Sequence, residues 1–165
     1  MHNKCNLCLL GFFLLATLAC AQADKDIHPV PENMTVQQKK QRFLKLIAPQ
    51  VMQVSHELDT QYQNIVKKIA SGETITNFDE LKNKYKVQTQ QELLTALKPH
   101  PPSITLAQAA MESAWASSRF FVKANNIFGV WSFNATEPRI AAAQKRGNKT
   151  IWLKKYASIK ESIAD

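Results

Sequence analysis

The sequence predicts a mostly helical α+β protein in which a small β appendage follows the helices. Three observations predict it. Apolar residues recur at 3–4 spacing over residues 35–70, the period of a helix with one buried face. A second stretch, residues 103–124, is richer still in apolar residues and contains neither Gly nor Pro. Beyond Val130 that period is lost, and two short β-type runs flank a basic loop. Of the 165 residues, 45% are apolar and 21% charged, which suits a folded domain rather than a disordered chain. Four Gly and seven Pro exclude collagen-like and low-complexity classes. The balance of 21 basic to 13 acidic residues, +8, favours an anionic partner: nucleic acid, a membrane surface or an acidic wall polymer.

The elements come in chain order. Met1 to Asn6 carry Lys4 and His2, and an apolar run over residues 7–19 is interrupted only by Thr17. Ala21-Gln22-Ala23 is next, so residues 1–23 read as a secretory signal peptide. The run is shorter than the roughly 20 residues of a membrane span, and a buried N-terminal helix is the alternative. Cys5, Cys8 and Cys20 all lie here, so cleavage after Ala23 leaves a chain without thiols. Thr17-Leu18-Ala19-Cys20 also resembles a lipoprotein box, whose cleavage before Cys20 would anchor the protein to a membrane through a lipid; soluble export ranks ahead of it. Removing residues 1–23 takes one Lys and no acid, leaving 20 basic against 13 acidic residues, +7.

Residues 24–34 read as a linker. Residues 35–98 form an N-terminal helical region: a long helix to about residue 70 with Phe43, Leu44, Ile47, Val51, Val54, Leu58, Ile65 and Ile69 on its apolar side, then helices over 78–85 and 89–97. Pro49 should kink or divide the first of these. Its Lys/Gln-rich outer side is simplest as a solvated face, and no groove-reading motif supports nucleic-acid binding. Residues 98–102 are a firm break. Ser103 opens a helix to about Ala124; residues 130–133 and 150–156 suggest strands around the basic loop 144–149; Ser158 starts a last helix that stops at Asp165. With so little partner length for Ile159 and Ile163, that helix is expected to be weakly held.

The chemistry centres on Glu112, the only carboxylate between Glu92 and Glu137. Gln108, Glu112, Trp115 and Arg119 follow one another at 3–4 spacing and so share one helical stripe. An acid enclosed by apolar groups has its charged form disfavoured and can hold a proton for a leaving oxygen. The alternative is a structural ion pair of Glu112 with Arg119 or with a base distant in the chain.

The Glu112-Ser113-x-Trp115 segment succeeded by the Asn125-Asn126-x-Phe128-Gly129 turn resembles the Bax-type glucosaminidases of bacteria, which group with the flagellar FlgJ-type enzymes in glycoside hydrolase family 73. The resemblance is densest over residues 103–133 and weaker through Glu137, Pro138 and Arg139, residues 152–156 and residues 158–165. Lys39, Lys40, Phe43, Leu46 and Pro49 also fit the Bax-type pattern. The resemblance implies a lysozyme-like helical domain with a small β lobe, preceded by a long kinked helix, with residues 99–165 as the catalytic region. It implies hydrolysis of the β-1,4 bond after N-acetylglucosamine in peptidoglycan, without amidase chemistry. Carried over, Glu112 is the general acid; Asn126, Phe128 and Gly129 floor the cleft; Trp131 begins the β lobe; Gln108 and Tyr156 join them as substrate-binding residues. Trp115 reads as a core aromatic, while Trp131 and Trp152 stay open between core and sugar stacking.

The sequence departs from the family pattern in three places. Ala116 stands where Gly is usual, a mild change inside a helix. No clear second acid stands on the β lobe, where Glu137 is the one candidate; attack by the substrate's acetamido oxygen is the other route. Family members continue beyond the Ser158 element, so the chain reads as truncated at its C-terminus. Two further readings stand beside hydrolysis: a lytic transglycosylase using Glu112 as acid then base, and a wall-binding remnant without turnover. His28, His56 and His100 lack ligand spacing, so no metal or other cofactor is expected. Peptidoglycan is the expected partner, nucleic acid is not, and the protein is expected to be a monomer in the periplasm or cell envelope.

Overall fold

A computed structural model describes residues 30–165. The expected signal peptide, the three cysteines, His28 and most of the expected linker therefore lie outside the described residues. Among the described residues, six helices and two strands occur in order: α1 Val36–Ala70, α2 Phe78–Tyr85, α3 Gln90–Leu97, α4 Pro102–Glu112, α5 Arg119–Ala124, β1 Arg139–Ala141, β2 Trp152–Lys154 and α6 Ile159–Ala164. The mainly helical prediction with a small β part is borne out.

Helix starts obey local side-chain chemistry. Thr35 Oγ1 accepts from the Gln38 N–H at 3.2 Å, while Gln38 Oε1 accepts from the Thr35 N–H at 2.8 Å. This capping box satisfies two of the donors that a helix start leaves unpaired. Thr89 and Glu92 build the same box for α3, and the Gln88 and Thr89 N–H groups hold the Glu92 carboxyl below its ordinary range. Ser118 caps α5 and Ser158 caps α6.

At 35 residues, α1 is about 50 Å long and serves two cores. Its Phe43, Ile47 and Val51 meet Ala109 and Ala110 of α4, Phe121 of α5, Ile127 and Ile159 of α6. Further along, Ile65 meets Ile75, Leu81 and Leu93 beneath α2 and α3. The first core draws on both sides of residue 98, so the start of α1 packs with the C-terminal elements.

Four expectations are corrected. Pro49 does not divide α1. Both Pro49 and Lys45, whose carbonyl loses its helical donor, are exposed, so water can replace the missing bond. The helix expected over residues 103–124 stops at Glu112. There, the Ala114 N–H donates to the Met111 carbonyl (3.3 Å) and the Trp115 N–H to the Ala110 carbonyl (2.9 Å), the paired bonds of a Schellman ending. Ala114, Trp115 and Ala116 all take positive φ, +51°, +60° and +58°. The expected strand over 130–133 is a single bridge, Trp131 with Leu153, and the strand over 150–156 contracts to β2. The partner of β2 is instead β1, antiparallel, with Ile140 opposite Leu153. Finally, α6 is well held: Ile159 is 2% exposed against α1, and Lys160 reaches Glu57 of α1 at 2.7 Å.

Candidate active site

Glu112 is the last residue of α4, and it is exposed rather than enclosed by apolar side chains. Of α4, only Ala109 and Ala110 are buried; Met111 is 81% exposed. The apolar pattern misleads because several of its members are alanines, which are tolerated on either face. Among the described residues Glu112 makes no hydrogen bond or ion pair. The structural pair with Arg119 is absent: α4 ends before Arg119, whose guanidinium donates to the Ala141 carbonyl at 2.9 Å. The expected stripe is therefore cut between Glu112 and Trp115, while Gln108 remains one turn before Glu112, also exposed.

The turn immediately after Glu112 makes its position rigid. Ser113 is fully buried; its Oγ donates to the Ala109 carbonyl at 2.5 Å and accepts from the Ala116 N–H at 2.8 Å. The Arg42 guanidinium donates to the Ala116 carbonyl at 3.3 Å. Trp115 stands edge-on to Phe43, centroids 5.4 Å apart, with Lys40 Nζ 5.1 Å from its ring, the core role expected of it. Left-handed backbone costs an L-residue roughly 1–2 kcal/mol, and this network is what sustains three such residues in a row. Ala116 is therefore not a helical residue, and its φ is one that glycine adopts without cost.

The second part of the site is the turn after α5. Asn125 ends the helix in left-handed conformation, and its Nδ2 donates to the carbonyls of Tyr156 (3.1 Å) and Ala157 (3.2 Å). Asn126 is 1% exposed; its Nδ2 donates to the carbonyls of Val130 (2.9 Å) and Lys154 (2.8 Å), and its Oδ1 accepts from the Val130 N–H at 2.9 Å. With its amide consumed inside the protein, Asn126 shapes the turn instead of meeting a ligand directly. Gly129 takes φ +67°, so the turn does need glycine there. Phe128 packs against the first core.

Tyr156 is likewise interior, 6% exposed, and donates its hydroxyl to Asp165 Oδ2 at 2.7 Å. Burial first, then this bond, raises its phenol above the ordinary value. Lys154 Nζ donates to the same oxygen at 2.7 Å and is the main reason the Asp165 carboxyl titrates low. Glu137 is half-buried and accepts from Ser132 Oγ at 2.6 Å. Trp131 is 42% exposed with Phe133 beside it, while Trp152 carries the Arg139 guanidinium 4.4 Å from its ring.

The structure thus gathers Asn126, Gly129, Trp131, Glu137 and Tyr156 around β2. Gln108 and Glu112 stand on α4, joined to that group through the core that Ala109 and Ala110 share with Ile127 and Phe128. A surface hollow of about 350 Å³ between α1 and residues 75–81 contains none of these residues. Ser132, bonded to Glu137, and Phe133, beside Trp131, were not among the expected site residues, whereas Ser113 was visible in the Glu-Ser motif.

A family model described as mannosyl-glycoprotein endo-β-N-acetylglucosaminidase matches residues 87–165. Residues 87–165 are thus similar to glucosaminidases. The match covers both α4 with Glu112 and the Asn125–Gly129 turn, so the resemblance read from those residues holds. The exo-glucosaminidase LytG of Bacillus subtilis is 41% identical over 69 residues, 39% of this chain. The chain spans about a quarter of that relative's length, 24%. The catalytic domain of the autolysin Auto from Listeria monocytogenes is 22% identical with a TM-score of 0.40, over 80% of this chain and 56% of that one. Among the described residues, no three His, Cys, Asp or Glu side chains gather as a metal site.

Proposed function

We propose that this chain is an exported peptidoglycan glucosaminidase that hydrolyses the β-1,4 bond after N-acetylglucosamine, with Glu112 as general acid. One observation carries the reading: within a glucosaminidase segment, Glu112 is an exposed carboxylate with no protein partner among the described residues, fixed at the rigid end of α4. A carboxyl group left free by its neighbours can meet an incoming glycosidic oxygen and protonate it as the bond to the anomeric carbon breaks. The oxocarbenium-like carbon then needs a nucleophile. Glu137 can prepare a water from the β lobe, its carboxylate already oriented by Ser132; alternatively the substrate's acetamido oxygen attacks and water opens the resulting ring. The +8 charge suits an acidic wall, and the apolar run ending at Ala23 suits export, soluble or through a lipid on Cys20.

Mass spectrometry of digested peptidoglycan tests this directly. Fragments with a reducing N-acetylglucosamine end support the reading; a 1,6-anhydro end assigns a lyase in which Glu112 serves as acid and then base; wall binding without release of fragments assigns a binding module. Glu112→Gln should lower hydrolysis about 10²–10⁴-fold, the usual share of general acid catalysis. Because Glu112 is exposed and unpaired, the stability of that variant should stay within the roughly ±0.5 kcal/mol range of a neutral surface change. Undiminished turnover would remove Glu112 from the role.

A further inference from the structure

Phe133 is 87% exposed and Trp131 42%, with ring centroids 6.2 Å apart and planes tilted by 42°. Large rings held in water beside each other mark a contact surface more often than a lapse of packing. This pair is also anchored. The Ser132 N–H donates to the Trp152 carbonyl at 2.8 Å and the Lys154 N–H to the Val130 carbonyl at 3.0 Å, so the backbone on each side of Trp131 is tied to β2. Over Trp131, 5.7 Å from its centroid, stands the guanidinium of Arg146. Arg146 is placed by the turn it shares with Lys149, closed by backbone bonds of 3.0 and 3.2 Å, with Gly147 at φ +61°.

The charge around this turn is one-sided. Residues 138–160 hold seven basic residues and no acid. Lys154 and Lys160 are neutralised by Asp165 and Glu57, whereas among the described residues Lys145, Arg146 and Lys149 have no carboxylate partner. A guanidinium lying over an indole keeps its N–H edge free to bind an oxyanion in forked fashion. Ring faces accept the C–H face of a pyranose, and the fork accepts a carboxylate.

We propose that Trp131, Phe133 and Arg146 form a subsite for a saccharide that bears a carboxylate, with Arg146 selecting that group. The inference rests on the glucosaminidase reading for the choice of a saccharide and extends it to which sugars the β lobe prefers.

Binding measured by calorimetry in the Glu112→Gln background, where turnover is suppressed, tests it with two probes of equal length. One is chitotetraose, which is neutral; the other is the peptide-free wall tetrasaccharide, whose lactyl groups are carboxylates. The carboxylated probe should bind about tenfold more tightly, which is about 1.4 kcal/mol. Arg146→Gln should erase that ratio and leave the chitotetraose affinity in place, Arg146→Lys should restore part of it, and Phe133→Ala should weaken both probes. Equal affinities in the parent, a ratio that survives Arg146→Gln, absence of binding by either probe, or tighter binding of an oligothymidylate of similar length would each overturn the proposal. Wall digestion by the wild-type chain is read separately. A preserved tenfold ratio without digestion would leave the subsite standing and remove the hydrolase, and digestion without the ratio would do the reverse.

Discussion

Replacing Ala114 by Gly should stabilise this protein, a direction opposite to the one expected for glycine in a helix. Ala114 occupies the first position past the end of α4 at φ +51°, where most Schellman endings have glycine. Relief of the left-handed penalty is worth roughly 1–2 kcal/mol. Glycine's greater freedom in the unfolded chain takes back about 0.4–1 kcal/mol. Ala114 is exposed, so no buried methyl is lost, and the net gain is about 0.5–1 kcal/mol. For a chain of this size that raises Tm by about 1–4 °C. Ala116→Gly obtains the same backbone relief at φ +58°, but its methyl is fully buried in the first core and is worth about 0.8 kcal/mol, so Tm should barely move. Ala107→Gly, exposed inside α4, is the control and should cost about 0.8–1 kcal/mol. Calorimetric melts of the three variants decide the matter. If Ala114→Gly falls with Ala107→Gly, the helix runs on through residue 114, and the rigid turn beside Glu112 does not exist.

Other outcomes stem from the same geometry. Asn126→Ala removes three internal hydrogen bonds and strands the Lys154 carbonyl and the Val130 N–H; chemical denaturation should show a loss of about 2–4 kcal/mol, and a loss under about 1 kcal/mol would mean the turn is held by other contacts. The Tyr156 phenol is raised by burial and by Asp165, so its share of stability is complete below about pH 10 and is lost as pH climbs toward the folded value. An absorbance titration should therefore show a tyrosine fraction that resists ionisation above the ordinary phenol value of about 10, and Tyr156→Phe should abolish that fraction; a titration curve unchanged by Tyr156→Phe would contradict the buried placement. Asp165 behaves in the opposite sense. Its depressed carboxyl contributes above the ordinary value of 3.8 and loses that contribution as pH falls through the lower folded value, so Asp165→Asn should flatten the acid limb of the melting curve.

Much of the helical frame is local, and local signals were enough to read it. Thr35, Thr89 and Ser158 announce their helices through side-chain oxygens that reach backbone N–H groups three residues on, and the 3–4 spacing of Phe43, Ile47, Val51 and Val54 marks the face of α1 that is buried. The same holds for the heart of the site. Glu112 with Ser113 beside it, and Asn126 with Phe128 and Gly129, are short-range patterns, and the match to the glucosaminidase family model over residues 87–165 covers both.

Tertiary structure decided what depends on partners distant in the chain. No glycine marks the end of α4, because Ala114 fills that place; the stop is enforced by Ser113 bonding within the core and by Arg42, more than 70 residues earlier, holding the Ala116 carbonyl. β1 is too short to signal itself and exists through its pairing with β2. Composition could not show that Glu112 is exposed, since alanines are silent about which side of a helix is covered. Asn126 and Tyr156 look like ligand-facing polar groups until the fold brings carbonyls and Asp165 to them and consumes their hydrogen bonds. Arg146 reaches Trp131 across 15 positions, and only the folded β lobe makes them neighbours. Periodicity and capping report on residues one turn apart; burial, pairing and charge placement are sums over contacts from the whole chain, and those sums exist only once it has folded.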